Sequence, residues 1–224
     1  MQTANTSLDS LLDRGNLWQG ARTRTASKGI PSGHPELDRR LAGQGWQPGN
    51  LIELLYTGEG SGELRLLYPL LAALSQQPQW IIWVDPPHVP YAPALAAAGI
   101  DIRRILMVHS RARQEQYWAL EQALKSGECS AVLGWAGAQA DDRALRRLQL
   151  AASQGQGLGF LFRPKRCRQL ASAAPYRALL EADPQGVALT LFKRRQGWSL
   201  PRLQLPLQDP FGPQDVNSAP LAMP

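Results

Sequence analysis

Residues 51–67 read LIELLYTGEGSGELRLL. An apolar run from Leu51 to Tyr56, with one polar interruption, predicts a buried strand; a glycine-rich turn follows, and apolar spacing resumes at Ser61 with the period of a helix. Strand, glycine loop and helix start make the frame of a phosphate-binding loop, where backbone amides and a helix amino end cradle anionic oxygens. The chemistry of such a loop is missing. It needs a lysine after the last glycine to reach the terminal phosphates, then a Ser or Thr hydroxyl for magnesium. Here Gly62 is followed by Glu63 and Leu64, and Thr57 replaces the first glycine, with Gly58 beside it. A carboxylate about 4 Å from a phosphate oxygen, at an effective dielectric of about 20, is repelled by roughly 4 kcal/mol. Leucine does not coordinate a hard cation. The degenerate phosphate loop, Thr57, Gly58, Gly60, Ser61, Gly62, Glu63 and Leu64, therefore keeps a packing geometry and gives up the nucleotide. An ordinary glycine turn has the same consequence: no ATPase and no nucleotide cofactor.

A chain of 224 residues with a 44% hydrophobic fraction builds one sizeable core. No apolar run reaches the length of a membrane span. The first residues, MQTANTSLDSLLDRGN, lack the basic start and apolar centre of a secretory signal, so the two cysteines, Cys129 and Cys167, are expected as reduced thiols in a bacterial cytoplasm. The formal charge of +6, carried mostly by arginine, favours an anionic partner: nucleic acid or an acidic protein surface.

Residues 7–13, SLDSLLD, can form a short helix capped by Ser7, and Leu17 and Trp18 follow before a polar, basic stretch. Residues 1–28 are expected as an amphipathic arm and linker. The linker favours a protein contact through Leu8, Leu11, Leu12, Leu17 and Trp18 over a fold-back onto the core. The core domain is expected over 29–205. A helix should open at Ser32 or Gly33 and run through Leu41, and strands are expected at 80–84, 105–108, 131–133 and 158–162. Helices should cover 92–98, 113–126 and 141–153. Short apolar strands alternating with helices predict an α/β fold with a mostly parallel sheet covered on both faces. Residues 187–192 and 200–205, with Gly197 in the turn, predict a C-terminal antiparallel hairpin. Residues 206–224, rich in Pro, Gln and Asp, are expected as a disordered tail.

The order of these elements resembles the RecA recombinase core, which implies a RecA-like three-layer core. That resemblance departs at each catalytic point. Glu63 and Leu64 replace Lys and Thr; Pro87 falls where a catalytic glutamate would end the second strand; and Gly134 and Trp135 stand where a metal-associated aspartate would lie. A narrower set of motifs resembles the ImuA family of translesion-synthesis-associated proteins. It comprises the leucines of 8–12 followed by Leu17-Trp18-Gln19-Gly20, then Gly33-His34-Pro35-Glu36-Leu37-Asp38, then residues 45–55, GWQPGNLIELL. What this implies is a non-catalytic accessory of an SOS-induced mutagenic complex, with the polymerase-like protein ImuB, RecA and an error-prone DnaE-type polymerase as partners. SulA, the division inhibitor that binds FtsZ, is a shorter relative, and a SulA-like inhibitor is the alternative reading. An ATP-dependent recombinase is the third, opposed by Glu63, Leu64 and Pro87. Self-association stays open.

Arg163, Lys165, Arg166 and Arg168 follow the strand at 158–162. In a RecA-like core that loop faces the DNA channel, so the cluster is the candidate for weak DNA binding, against a plain solvated loop. Arg143, Arg146 and Arg147 read as an exposed helix side, and Lys193, Arg194 and Arg195 as a turn. His34, His88 and His109 are isolated and have no metal-ligand spacing.

Overall fold

A computed structural model describes residues 28–58, 60, 62–195, 198–207 and 209–211. The expected arm, with Leu8, Leu11, Leu12, Leu17 and Trp18, lies outside the described residues, as do Ser61 and most of the expected tail.

Among the described residues eight strands form one sheet: β1 (Leu51–Tyr56), β2 (Trp80–Val84), β3 (Ile105–Val108), β4 (Cys129–Trp135), β5 (Leu158–Pro164), β6 (Tyr176–Asp183), β7 (Gly186–Lys193) and β8 (Leu203–Pro206). Their order is β3-β2-β4-β5-β1-β6-β7-β8. The first six run parallel, and β7 and β8 are antiparallel to their neighbours. The helices are α1 (Pro35–Asp38), α2 (Tyr68–Ser75), α3 (Ala92–Ala97), α4 (Arg113–Lys125) and α5 (Asp142–Gly155).

β1 has both edges paired, to β5 and β6, and both faces packed against apolar cores, which is why it reads as an almost continuous apolar run. Ile52 and Leu54 face the larger core with Leu66 just before α2, Leu70, Leu71 and Leu74 along it, and Leu95 of α3. Leu51 faces the second core, filled by Leu120 and Leu124 of α4 and Leu145, Leu148 and Ala152 of α5. Trp46 meets Phe160 and Tyr176 edge to face, at centroid distances of 6.2 and 5.4 Å, anchoring the segment that enters β1. Asp141 caps α5 through its carboxylate, which accepts from the Ala144 amide at 2.7 Å.

Two helix expectations are corrected. The helix expected from Ser61 begins as a 3-10 turn at Arg65–Leu67 and becomes α2 only at Tyr68, because Gly60 and Gly62 hold φ of +79° and +81°, outside the helical region. The helix expected over 32–41 shortens to the four residues of α1, followed by turns through Gly43 and Gly45. The expected antiparallel hairpin forms as β7 and β8, and β6, absent from the sequence expectation, extends it to a three-stranded meander by pairing with β7 on one side and β1 on the other. Leu207, just past β8, packs against the larger core.

Candidate protein-contact site at the carboxyl edge of the sheet

The loop after β1 leaves Thr57, Gly58 and Gly60 exposed at the carboxyl ends of the parallel strands, where open α/β sheets place their binding sites. Beyond it Leu64 packs on the larger core, and one Glu63 carboxylate oxygen is buried without a hydrogen-bond partner among the described residues. The space over Gly62 is taken by this chain's own Leu207: a Cβ at Gly62 would lie 2.6 Å from the leucine Cδ1. The Arg65 guanidinium donates to the Leu207 carbonyl at 3.5 Å. Four residues further on, Phe211 meets Tyr91 of the β2–α3 loop at 6.3 Å between ring centroids. Val89, Tyr91 and Phe211 are exposed by 79%, 67% and 62%, an apolar surface of the kind that protein partners cover.

The β2 end is held in shape. Asp85 adopts φ of +51°, and its carboxylate accepts from the Ser110 amide at 2.7 Å and the Ser110 hydroxyl at 2.5 Å. Pro87 beyond it is exposed. At the β4 end, Gly134 faces Leu120, and Trp135 stacks on Phe162 at 4.8 Å and 19°. Apolar packing fills the place where the RecA resemblance would put a metal-binding acid.

Beneath this edge lies a buried ionic centre that sequence reading missed. Glu53, the one polar residue of β1, is wholly buried and accepts from Arg163 at 2.7 Å, Arg177 at 2.6 Å and the Ser172 hydroxyl at 2.9 Å. Arg163 also donates to the carbonyls of Ala138 and Ala140, and Arg177 to those of Cys167, Arg168 and Leu170. One carboxylate thus ties together the segments following β4 and β5. Lys193 donates to the Ser172 carbonyl at 2.8 Å; burial, then the nearby Arg177, lowers its pKa. The only signal in the sequence was a lone acid in an apolar strand, and its partners are 110 and 124 residues away.

The proposed basic cluster after β5 is corrected by the same geometry. Arg163 is 0% exposed and faces inward. Lys165 pairs with Glu181 at 3.0 Å, and Arg168 lies over the Phe192 ring at 5.3 Å. Arg166 is exposed on the intervening 3-10 turn. The four do not form one cationic surface. Arg194 turns inward as well, donating to the carbonyls of Arg40 and Trp198. His34 bonds the Leu66 carbonyl at 2.9 Å, a structural role. Among the described residues no group of three His, Cys, Asp or Glu could hold a metal, and no helix is long and apolar enough to cross a membrane.

A cleft of about 600 Å³ opens between the amino-terminal ends of α4 and α5, lined in part by Arg113, Tyr117, Gln139, Asp141, Arg143 and Arg147. Burial raises the Tyr117 pKa.

A family model described as cell division inhibitor SulA matches residues 49–159, from the entry to β1 into the start of β5. The cell division inhibitor SulA of Edwardsiella piscicida is 36% identical over 132 residues, which are 59% of this chain and 77% of that protein. The SulA of Yersinia pestis (strain Pestoides F) is 33% identical over 116 residues, 52% of this chain and 68% of its own. The solved structure of SulA from Pseudomonas aeruginosa aligns with a TM-score of 0.43 at 26% identity, covering 51% of this chain and 97% of that one.

These findings overturn the accessory role in translesion synthesis, and with it ImuB, RecA, a DnaE-type polymerase and DNA as partners, since the matching family and relatives are division inhibitors. Residues 49–55, part of the motif behind the ImuA resemblance, fall inside the SulA match and do not separate the two families. The chain belongs to the SulA family of cell division inhibitors.

Proposed function

We propose that this protein halts cell division by binding the tubulin-like division protein FtsZ in the cytoplasm, without catalysis of its own. The observation that carries this reading is the 36% identity to a SulA over 132 residues. A non-catalytic role is supported by the loop after β1, which has Glu63 and Leu64 where a nucleotide needs Lys and Thr, and Leu207 against Gly62. The sheet order and the glycine loop after β1 support descent from a RecA-like core whose fuel chemistry has been lost. The apolar surface of Val89, Tyr91 and Phe211 and the exposed loop residues Thr57 and Gly58 form the contact face. The 1–28 arm with Leu8, Leu11, Leu12, Leu17 and Trp18 supplements it.

Controlled expression in undamaged bacteria tests the proposal. Filamentation that is relieved when FtsZ is overproduced supports it; normal division at a verified level of folded protein overturns it.

A further inference from the structure

We propose that the face formed by α4 and α5, with the cleft at their amino-terminal ends, receives an acidic segment of a protein partner. This inference rests on the reading of the chain as a protein-binding inhibitor and names the chemistry of a second contact.

Two side-chain stripes meet on this face. On α5, Arg143, Arg147 and Leu150 follow one another at four and three residues; on α4, Gln114, Trp118 and Glu121 do the same, so each set lies along one side of its helix. An ion pair from Arg147 to Glu121 at 3.3 Å sets the stripes side by side. Trp118 and Leu150 are 64% and 63% exposed. Tryptophan and arginine on one exposed surface are the residue types that dominate binding at protein interfaces.

The charge balance says what fits. Arg113 and Arg143 line the cleft, and among the described residues neither guanidinium pairs with a carboxylate. Asp141, the acid on the cleft wall, is engaged in capping the Ala144 amide. Planar guanidinium groups bind carboxylates through paired hydrogen bonds, and Trp118 and Leu150, further along the same two helices, offer apolar contact. A nucleic-acid strand fits less well. It needs a continuous cationic track with stacking platforms, and here Glu121 and Asp142, paired with Arg147 and Arg146, interrupt the positive stripe.

Arg113 and Arg143 lie in the first turns of α4 and α5, where glutamate suits the helix dipole, so the double variant Arg113→Glu/Arg143→Glu preserves the fold. Binding of the full chain to FtsZ is measured first. Failure of the wild type to bind sinks the functional proposal itself. If the wild type binds, the double variant is expected to bind about tenfold more weakly, and Trp118→Ala to weaken binding independently. A decamer of glutamate is then titrated while Trp fluorescence is followed. Saturable binding that is lost in the double variant supports the inference. Wild-type affinity of the folded double variant for both FtsZ and the glutamate peptide overturns it, as does a single-stranded oligonucleotide that binds this face more tightly than the peptide.

Discussion

Glu53 and Arg163, 110 residues apart in the chain, meet at 2.7 Å with both side chains wholly buried. Arg177 completes the set from the other neighbouring strand, so one negative charge stands between two positive ones inside the sheet. Desolvating such groups is costly, and removing the shared carboxylate leaves two guanidinium ions buried without a counter-charge. Glu53→Gln should therefore lose about 3–5 kcal/mol of stability in urea titrations. An unchanged midpoint would show that the centre contributes nothing to the fold.

Gly62 tests the cover over the degenerate loop. Its φ of +81° disfavours any residue with a Cβ, and the Leu207 methyl stands 2.6 Å from where that Cβ would be. Gly62→Ala should cost about 1–2 kcal/mol. The leucine can swing aside but the backbone cannot, so Leu207→Ala in the same chain should restore only a small part. Full restoration in a double-mutant cycle would place the whole cost in the side-chain clash.

Alkaline solution should weaken the fold. Burial raises the pKa of the Cys129 thiol from 9.0 and those of the Tyr68, Tyr117 and Tyr176 hydroxyls from 10.0. A folded-state pKa above the unfolded one means the native chain holds its protons longer. The stability these groups confer is complete below their unfolded values and is lost as pH rises through the folded ones. Urea midpoints should fall between about pH 8 and about pH 11. Over the lower part of that range Cys129 should resist alkylation until the protein is unfolded. Rapid native-state alkylation near pH 8 would contradict this.

Much of the parallel sheet was legible because its strands and helices carry their own signal. In 80–84 and 158–162 the apolar runs are short and uninterrupted, and α4 and α5 show helical spacing with outward arginines. β6 was not legible. Its sequence, YRALLEAD, is rich in good helix formers and holds Arg177, Glu181 and Asp183, yet pairing with β1 and β7 overrides that local preference. Arg163 misled for a related reason: it opens a run of surface-type residues, and only the register of β5 against β1 turns it toward Glu53. Such partners meet through the sheet order, which no local pattern encodes. The motif resemblance failed differently, because residues shared by two families cannot choose between them.

The central claim is that this SulA-family chain acts by binding a division protein, without catalysis of its own. Its most direct test is sedimentation of purified FtsZ assembled with GTP, with and without one equivalent of the folded 224-residue chain. The account predicts that FtsZ polymer in the pellet falls sharply, that the two proteins remain together in the supernatant, and that the chain consumes no ATP. Undiminished polymer with no complex, or ATP turnover by the chain alone, would contradict it.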